Sequence, residues 1–432
     1  MVKVSRLFIK VITISFICFL FKTQALNAQK QDLTNFIAPT EVAPGLKPDR
    51  IILTWQTDPS TSQTVTWRTS TVVKTPVAEI LPIGSSSATK TFKAKTQKLK
   101  SENSGTLFHA VNFTNLQPNT QYQYRVGDGT NWSNWFRFET ANDQPEPFSF
   151  IYLGDAQNEL ATSWAKTVQA THTKAPQAKF VLHIGDQVNS PESETEWQDW
   201  FTAGAAIFTT KSHLVIPGNH EYARKLGLPK LTRFWNPQFN FPKNGPKGFK
   251  DVAYYTDYQD VRIITLNSYW FIYGQAHWLE EVLRSNTKKW TIVACHYPVF
   301  SASRAKDTKS LIKYWKPLFD KYKVDLVLQG HDHTYARGFG LTSKGEKQYV
   351  NTSPVYVVSI SGPKAYRRNV QKPWPTRTSQ QGQLFQVISF EENKLLYKSY
   401  SVSDALIDAF ELTKAKDGTK AIKELLPLNT TN

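Results

Sequence analysis

Two kinds of apolar pattern divide the chain. From about residue 46 to 141, apolar and polar positions alternate over short stretches. Examples are Ile51-Ile52-Leu53-Thr54-Trp55 and Thr64-Val65-Thr66-Trp67-Arg68, with Asp58-Pro59-Ser60 as a turn between them. Alternation bounded by turn residues predicts half-buried strands. Leu116 to Thr120 reads as a further turn, the alternating Tyr122 and Tyr124 lead into a strand, and Gly127-Asp128-Gly129 supplies the next hairpin turn. This part is expected to be an all-β sandwich of roughly a hundred residues, and no residue set in it carries catalytic chemistry.

Ala141 to Pro147 is a linker by composition, and beyond it the pattern changes. Continuous apolar runs of the buried-strand type occur at Phe148 to Leu153, Phe180 to Ile184, Leu214 to Ile216, Val261 to Leu266, Trp290 to Ala294, Val324 to Leu328 and Val355 to Ile360. Helical stretches are expected at about 159–170, 275–285 and 309–322. Strands alternating with helices predict an α/β layered domain, and the sequence becomes β-rich again at about 383–413. A tail is expected over 413–432, and a linker over 29–45.

The N-terminus has its own signature. Lys3, Arg6 and Lys10 precede the apolar stretch Val11 to Phe21, and the small residues Ala25 and Ala28 follow. This predicts a signal peptide over residues 1–28 and a secreted or periplasmic protein. The apolar run is about half of what a bilayer span needs, so no stable membrane insertion is expected. Of the two cysteines, Cys18 lies within the signal, which leaves Cys295 and no internal disulfide.

The length implies more than one domain, and 40% hydrophobic with 20% charged residues is the balance of a globular protein with sizeable cores. The formal net charge is +17, carried by scattered lysines without aromatic interleaving. That pattern favours anionic substrates mildly and gives no sign of specific nucleic-acid binding. No partner protein is identified.

Five polar clusters carry the chemistry, each placed where an apolar run stops. They are Gly154-Asp155-Ala156-Gln157, Gly185-Asp186-Gln187-Val188-Asn189, Gly218-Asn219-His220-Glu221, Cys295-His296-Tyr297-Pro298 and Gly330-His331-Asp332-His333. Loops at the carboxyl ends of strands in an open α/β sheet converge on one site. Carboxylates with imidazoles suit zinc, iron or manganese. Each cluster alone has an ordinary explanation: a Gly-Asp turn, a capping Asn, a pair of surface imidazoles. Their joint occurrence in this order favours a two-metal centre sharing one carboxylate. Cys295 reads as a packed strand residue, and Ser190, Ser268 and Ser301 as loop hydrogen-bonders. The chain has no Gly-rich phosphate cradle and no Gly-x-Ser-x-Gly elbow.

With these clusters the chain resembles the calcineurin-like metallophosphoesterases, and more closely their purple acid phosphatase branch. The resemblance covers residues 46–412. It rests on Gly218 to Glu221 and on Gly330 to Arg337, with support from Gln275 to Leu279 and Ser361 to Tyr366. It implies a multidomain protein: a fibronectin type III-like sandwich at 46–141, then an α/β (αββα four-layer) catalytic domain at 147–412. The Tyr122 region is similar to the tyrosine corner of such sandwiches. The family pattern implies that Asp186 bridges two ions, that Asp155 and His333 bind the first, and that Asn219, His296 and His331 bind the second. It implies that His220 is a non-ligand beside the substrate and Glu221 an orienting partner of an imidazole.

The chain departs from the family at two positions. Asn189 stands where the purple enzymes have a tyrosine ligand, and Gln157 where many relatives have a histidine. Both are candidate amide ligands, and the substitution favours divalent Fe, Mn or Zn over an Fe(III)-tyrosinate. Two ions about 3.5–4 Å apart would generate a bridging hydroxide for in-line attack on phosphorus, with His220 protonating the leaving oxygen. Arg337 and Arg304 are candidate phosphate binders. The expected activity is that of an exported metal-dependent phosphomonoesterase acting on a phosphate ester. The alternatives are a phosphodiesterase with the same metal core, and an exported non-catalytic metal-containing binding or adhesion protein.

Overall fold

The structure is a computed structural model that describes residues 43–86, 88–99, 105–341 and 351–427. The expected signal peptide and nearly all of the 29–45 linker lie outside the described residues. Eight strands build the N-terminal part: β1 (Asp49–Thr54), β2 (Gln63–Ser70), β3 (Val77–Pro82), β4 (Lys90–Lys93), β5 (Lys95–Leu99), β6 (Thr106–Phe113), β7 (Gln121–Gly127) and β8 (Phe136–Glu139). One sheet runs β4-β3-β7-β8, and β1, β2, β6 and β5 lie side by side in the other. Alternate residues meet in the core between them: Leu53, Val65, Trp67 and Phe113 from one sheet, Ile80, Tyr124, Val126 and Phe138 from the other. The Tyr122 hydroxyl accepts from the Gln117 N–H at 2.9 Å, so the tyrosine does bond back to the turn before it.

The second part begins with β9 (Phe148–Leu153), β10 (Phe180–His183) and β11 (Ser212–Val215). After a small hairpin of β12 (Tyr222–Lys225) and β13 (Leu228–Leu231) come β14 (Tyr254–Tyr258), β15 (Val261–Leu266), β16 (Trp290–Cys295), β17 (Leu326–Gln329), β18 (Tyr335–Phe339), β19 (Val355–Val358) and β20 (Pro375–Ser379). The chain closes with β21 (Leu384–Glu391), β22 (Lys394–Ser401), β23 (Leu406–Lys414) and β24 (Lys420–Glu424). The principal helices are α1 (Ala165–Lys174), α2 (Glu194–Phe208), α3 (Ile272–Arg284), α4 (Lys309–Tyr314) and α5 (Lys316–Lys321).

These strands form a seven-stranded sheet, β14-β15-β16-β17-β19-β18-β20, and an eleven-stranded sheet. The alternation along each strand shows how the layers stack. On β16, Ile292 and Ala294 enter the core shared with Ile151, Leu182 and Leu214 of the larger sheet. Val293 and Cys295 face the other way, onto Leu279, Leu311 and Phe319 of α3, α4 and α5 and Trp315 between the last two. Helices α1 and α2 pack on the larger sheet through Val168, Trp197 and Trp200, with Trp164 just before α1. The order helix, sheet, sheet, helix is that of a four-layer αββα domain.

Three features depart from the sequence reading. First, the larger sheet runs β24-β23-β22-β21-β9-β10-β11-β1-β2-β6-β5, so one sheet of the N-terminal sandwich continues a sheet of the second part. The junction is a parallel pairing of β1 with β11 at Leu53 and Ser212. It is reinforced by Arg50, which donates to Gln198 and Gln238, and by the Tyr124 hydroxyl on the Thr209 carbonyl. Second, the expected tail at 413–432 includes an edge strand, because Lys414 to Phe410 pair with Lys420 to Glu424. Third, α2 was not anticipated, although Ser193 caps it by accepting from the Glu196 N–H, a Ser-x-x-Glu signal visible in the sequence. The helix expected at 309–322 divides into α4 and α5 around Trp315, where Pro317 cannot continue the ladder.

Candidate metal centre

All five polar clusters meet at the carboxyl ends of the central strands. Asp155 follows β9, Asp186 follows β10, Asn219 follows β11, His296 follows β16, and His331 with His333 follows β17. Two triads form. The ligand-type atoms of Asp155, Asp186 and His333 all lie within 4.8 Å of one another, as do those of Asp186, His296 and His331. Asp186 belongs to both. Asn219 joins the second group, its Oδ1 lying 3.2 Å from His296 Nε2.

The backbone is bent to make this convergence. Asp155, Asp186, His331 and His333 have φ of 52°, 53°, 70° and 47°. Such left-handed conformations are uncommon for non-glycine residues and cluster at functional sites. The motif glycines admit the carboxylates. A Cβ on Gly218 would stand 2.1 Å from Asp186 Oδ1, and one on Gly330 would stand 2.2 Å from Asp155 Oδ2.

Main-chain carbonyls orient two of the imidazoles. His296 Nδ1–H donates to the Ile184 carbonyl at 2.8 Å, which turns Nε2 toward Asp186 at 3.1 Å. His333 Nδ1–H donates to the Lys364 carbonyl at 2.9 Å, which turns Nε2 toward Asp155 Oδ1 at 3.4 Å. Fixing one ring nitrogen in this way presents the other as a metal donor. Glu221 does not take the orienting role expected of it. Its buried carboxylate accepts from the N–H groups of Gly218, Asp186 and Gln187 at 2.7–2.9 Å, so it staples two ligand loops together.

Burial sets the electrostatics. It pushes the Asp155 carboxyl up, and the nearby Asp186 adds to that. It would do the same to Asp186, but His296 holds that carboxyl low. Burial also keeps His331 at about 2 and His333 at about 4, so both rings are neutral and able to donate a lone pair. His296 thus outweighs burial at Asp186 but only partly offsets it at Asp155. The amide of Gln157 lies in the same place: its Nε2 is 3.0 Å from His333 Nε2, and its buried Oε1 has no protein partner. The described contacts of Asn189 are main-chain ones. Its carbonyl accepts from His220 Nδ1–H at 2.7 Å, and its N–H donates to Glu196.

The remaining candidates fall into place around this core. His220, half-buried, has Nδ1 committed to Asn189, and its own N–H bonds to Asp186 Oδ1. Arg304 is partly exposed at the margin and donates to Asp332 and the His331 carbonyl, both at 3.2 Å. Arg337 is not at the site. It is fully buried and paired with Asp408 and Glu424. Its place on β18 points it into the space between the two sheets, where a guanidinium needs carboxylate partners rather than substrate. Burial pushes the Cys295 thiol up to about 12, which makes it a packed thiol and not a nucleophile. Asp332 ties the Ser301 loop to the histidine loop by accepting from Ser301 Oγ and the Ala302 N–H. The sequence reading missed Tyr297, whose ring centroid is 4.1 Å from that of His331. Its position next to His296 was the available signal.

Comparison with known proteins agrees with this architecture. Residues 148–335 match the calcineurin-like phosphoesterases, so the fold and the site place the catalytic part in that superfamily. Residues 48–140 match the purple acid phosphatase N-terminal domain. The chain thus has the two-domain layout of the purple acid phosphatase-like branch. It is 27% identical over 267 residues to a purple acid phosphatase of Glycine max, covering 57% of this chain and 55% of the relative. It is 26% identical over 282 residues to a phosphoenolpyruvate phosphatase of Allium cepa, covering 60% and 58%. The chain thus spans a little over half the length of these curated relatives. The fold is shared with a purple acid phosphatase from yellow lupin (Lupinus luteus) seeds, at a TM-score of 0.75 and 17% identity, over 86% of this chain and 75% of that one.

Proposed function

We propose that this chain is an exported phosphatase that hydrolyses phosphomonoesters with two metal ions. One observation carries the reading: two ligand triads share a single buried carboxylate, Asp186. In this assignment Asp155, Asp186 and His333 hold the first ion, and Gln157, whose Nε2 faces His333, would add Oε1 as a fourth donor on turning its amide over. Asp186, Asn219, His296 and His331 hold the second. The donor set fits hard or borderline divalent ions such as Zn, Mn or Fe(II). No phenolate faces the first triad from position 189, so an Fe(III)-tyrosinate is not expected. Ions held here supply Lewis acidity to phosphoryl oxygens and lower the pKa of water.

The chain's own residues do the rest. Fixed through Nδ1 on the Asn189 carbonyl, His220 keeps Nε2 for the leaving oxygen and can deliver a proton there. Burial of the aspartates excludes water from the anionic core and strengthens every charge contact in it. Arg304, steered by Asp332, is the remaining candidate for a substrate oxygen at the margin. Among the described residues no helix is long and apolar enough to cross a membrane. Export rests on the basic and apolar pattern of the first 28 residues. The fibronectin type III-like reading of 46–141 is supported by the Tyr122 corner.

Hydrolysis of 4-nitrophenyl phosphate and bis(4-nitrophenyl) phosphate, with zinc, manganese or iron(II) added, tests this. The monoester should be cleaved faster. Cleavage of neither ester with any ion would end the enzyme reading, and faster diester cleavage would end the monoester assignment.

A further inference from the structure

A strip of tyrosines leads away from the second triad. The Tyr297 ring lies 4.1 Å from His331 and 5.6 Å from His296, centroid to centroid. Tyr269 meets Tyr297 edge-on at 6.1 Å, and Tyr222 lies 4.9 Å from Tyr269. Both ends of the strip are anchored in ligand loops, since Tyr297 follows His296 and Tyr222 stands two residues after His220. The loop between them is held in place. Asn267 Nδ2 donates to the Tyr222 hydroxyl at 2.7 Å, while Gln275 clamps the Asn267 main chain from α3 through both of its amide atoms.

All three rings are only partly buried, so the strip presents aromatic surface beside the site. The next residue on the same face of β12 is Arg224, two positions after Tyr222. Arg224 is exposed and has no carboxylate partner among the described residues. Arg304, by contrast, is already committed to Asp332.

We propose that Tyr297, Tyr269 and Tyr222 form a leaving-group subsite for a planar aromatic group, and that Arg224, two residues along β12 from Tyr222, receives a second negative charge on that group. This rests on the phosphatase reading of the same site and specifies the substrate class: aryl phosphoesters whose ring carries an anionic substituent. Stacking gives the ring its affinity, and the cationic end selects among rings.

The test is calorimetric binding to the metal-loaded full chain of methylphosphonate, phenylphosphonate and 4-carboxyphenylphosphonate, none of which carries a cleavable ester. Phenylphosphonate should bind about three- to tenfold more tightly than methylphosphonate. Tyr269→Ala and Tyr297→Leu should each shrink that ratio toward one, with thermal unfolding checked to confirm intact folds. Arg224→Ala should keep the phenyl preference and abolish the additional gain, about two- to fivefold, from the carboxylate. Equal binding of the methyl and phenyl compounds by the wild type would overturn the subsite and leave the metal-centre reading standing. A phenyl preference unchanged in both tyrosine variants would also overturn it. Failure of all three phosphonates to bind would sink both.

Discussion

Arg337→Ala should weaken the fold and leave catalysis alone, although the position looks like a phosphate binder from the sequence. The guanidinium is fully buried and makes four charged hydrogen bonds: to Asp408 at 2.6 and 3.1 Å, and to Glu424 at 2.9 and 2.7 Å. It joins β18 of the smaller sheet to β23 and β24 of the larger one. Removing one partner of a buried ion pair typically costs about 3–5 kcal/mol, because the other charge is left stranded. Here Asp408 keeps Arg377 at 2.9 Å and the Tyr335 hydroxyl at 2.7 Å, and Glu424 is partly solvated. The loss should therefore fall near the lower end, about 3 kcal/mol. Urea unfolding reads the stability, and kcat and KM for a monoester well below the transition read the site. Both kinetic constants should stay within about twofold of wild type, since none of the side-chain partners of Arg337 among the described residues lies in the ligand loops. A tenfold rise in KM with unchanged stability would refute the reasoning and return Arg337 to the substrate.

The other expectations are independent of that network. Gly330→Ala places a Cβ 2.2 Å from Asp155 Oδ2, so the carboxylate must move. The variant should lose one of two ions by elemental analysis, and a full complement would contradict the close approach. His220→Ala should retain both ions and slow turnover most for poor leaving groups; equal losses for 4-nitrophenyl and alkyl phosphates would exclude a proton-donor role. Burial holds His109 at about 4, His213 at about 3 and His183 well below its ordinary value, so all three stay neutral in the fold. Unfolded, they take up protons near pH 6.5, so they favour the fold fully above that pH. Their contribution falls by about 1.4 kcal/mol per pH unit each as pH drops toward the folded values. The melting temperature should be lower at pH 5 than at pH 7.5, with a smaller drop in His109→Gln; a rise on acidification would contradict this.

Strand ends were legible because each apolar run stops where a polar cluster begins, and the five clusters do converge in the structure. The role of Glu221 was not legible. A carboxylate beside a histidine reads as its partner in sequence, yet here it satisfies three main-chain N–H groups of neighbouring loops. Arg337 misled for a related reason. Proximity in sequence to His331 and His333 says nothing about which side of β18 a side chain takes, and its partners Asp408 and Glu424 are 71 and 87 residues away. The junction of the two domains was hidden too, because a single parallel pair at Leu53 and Ser212 leaves no trace in either strand's pattern. The tyrosine strip joins residues from three separate segments, and only the fold brings them side by side.

The central claim is that one carboxylate serves two ions, and metal stoichiometry tests it directly. Elemental analysis should give two ions per chain for the wild type, one each for His333→Ala and His331→Ala, and none for Asp186→Ala. Retention of either ion by Asp186→Ala would contradict the shared-ligand assignment.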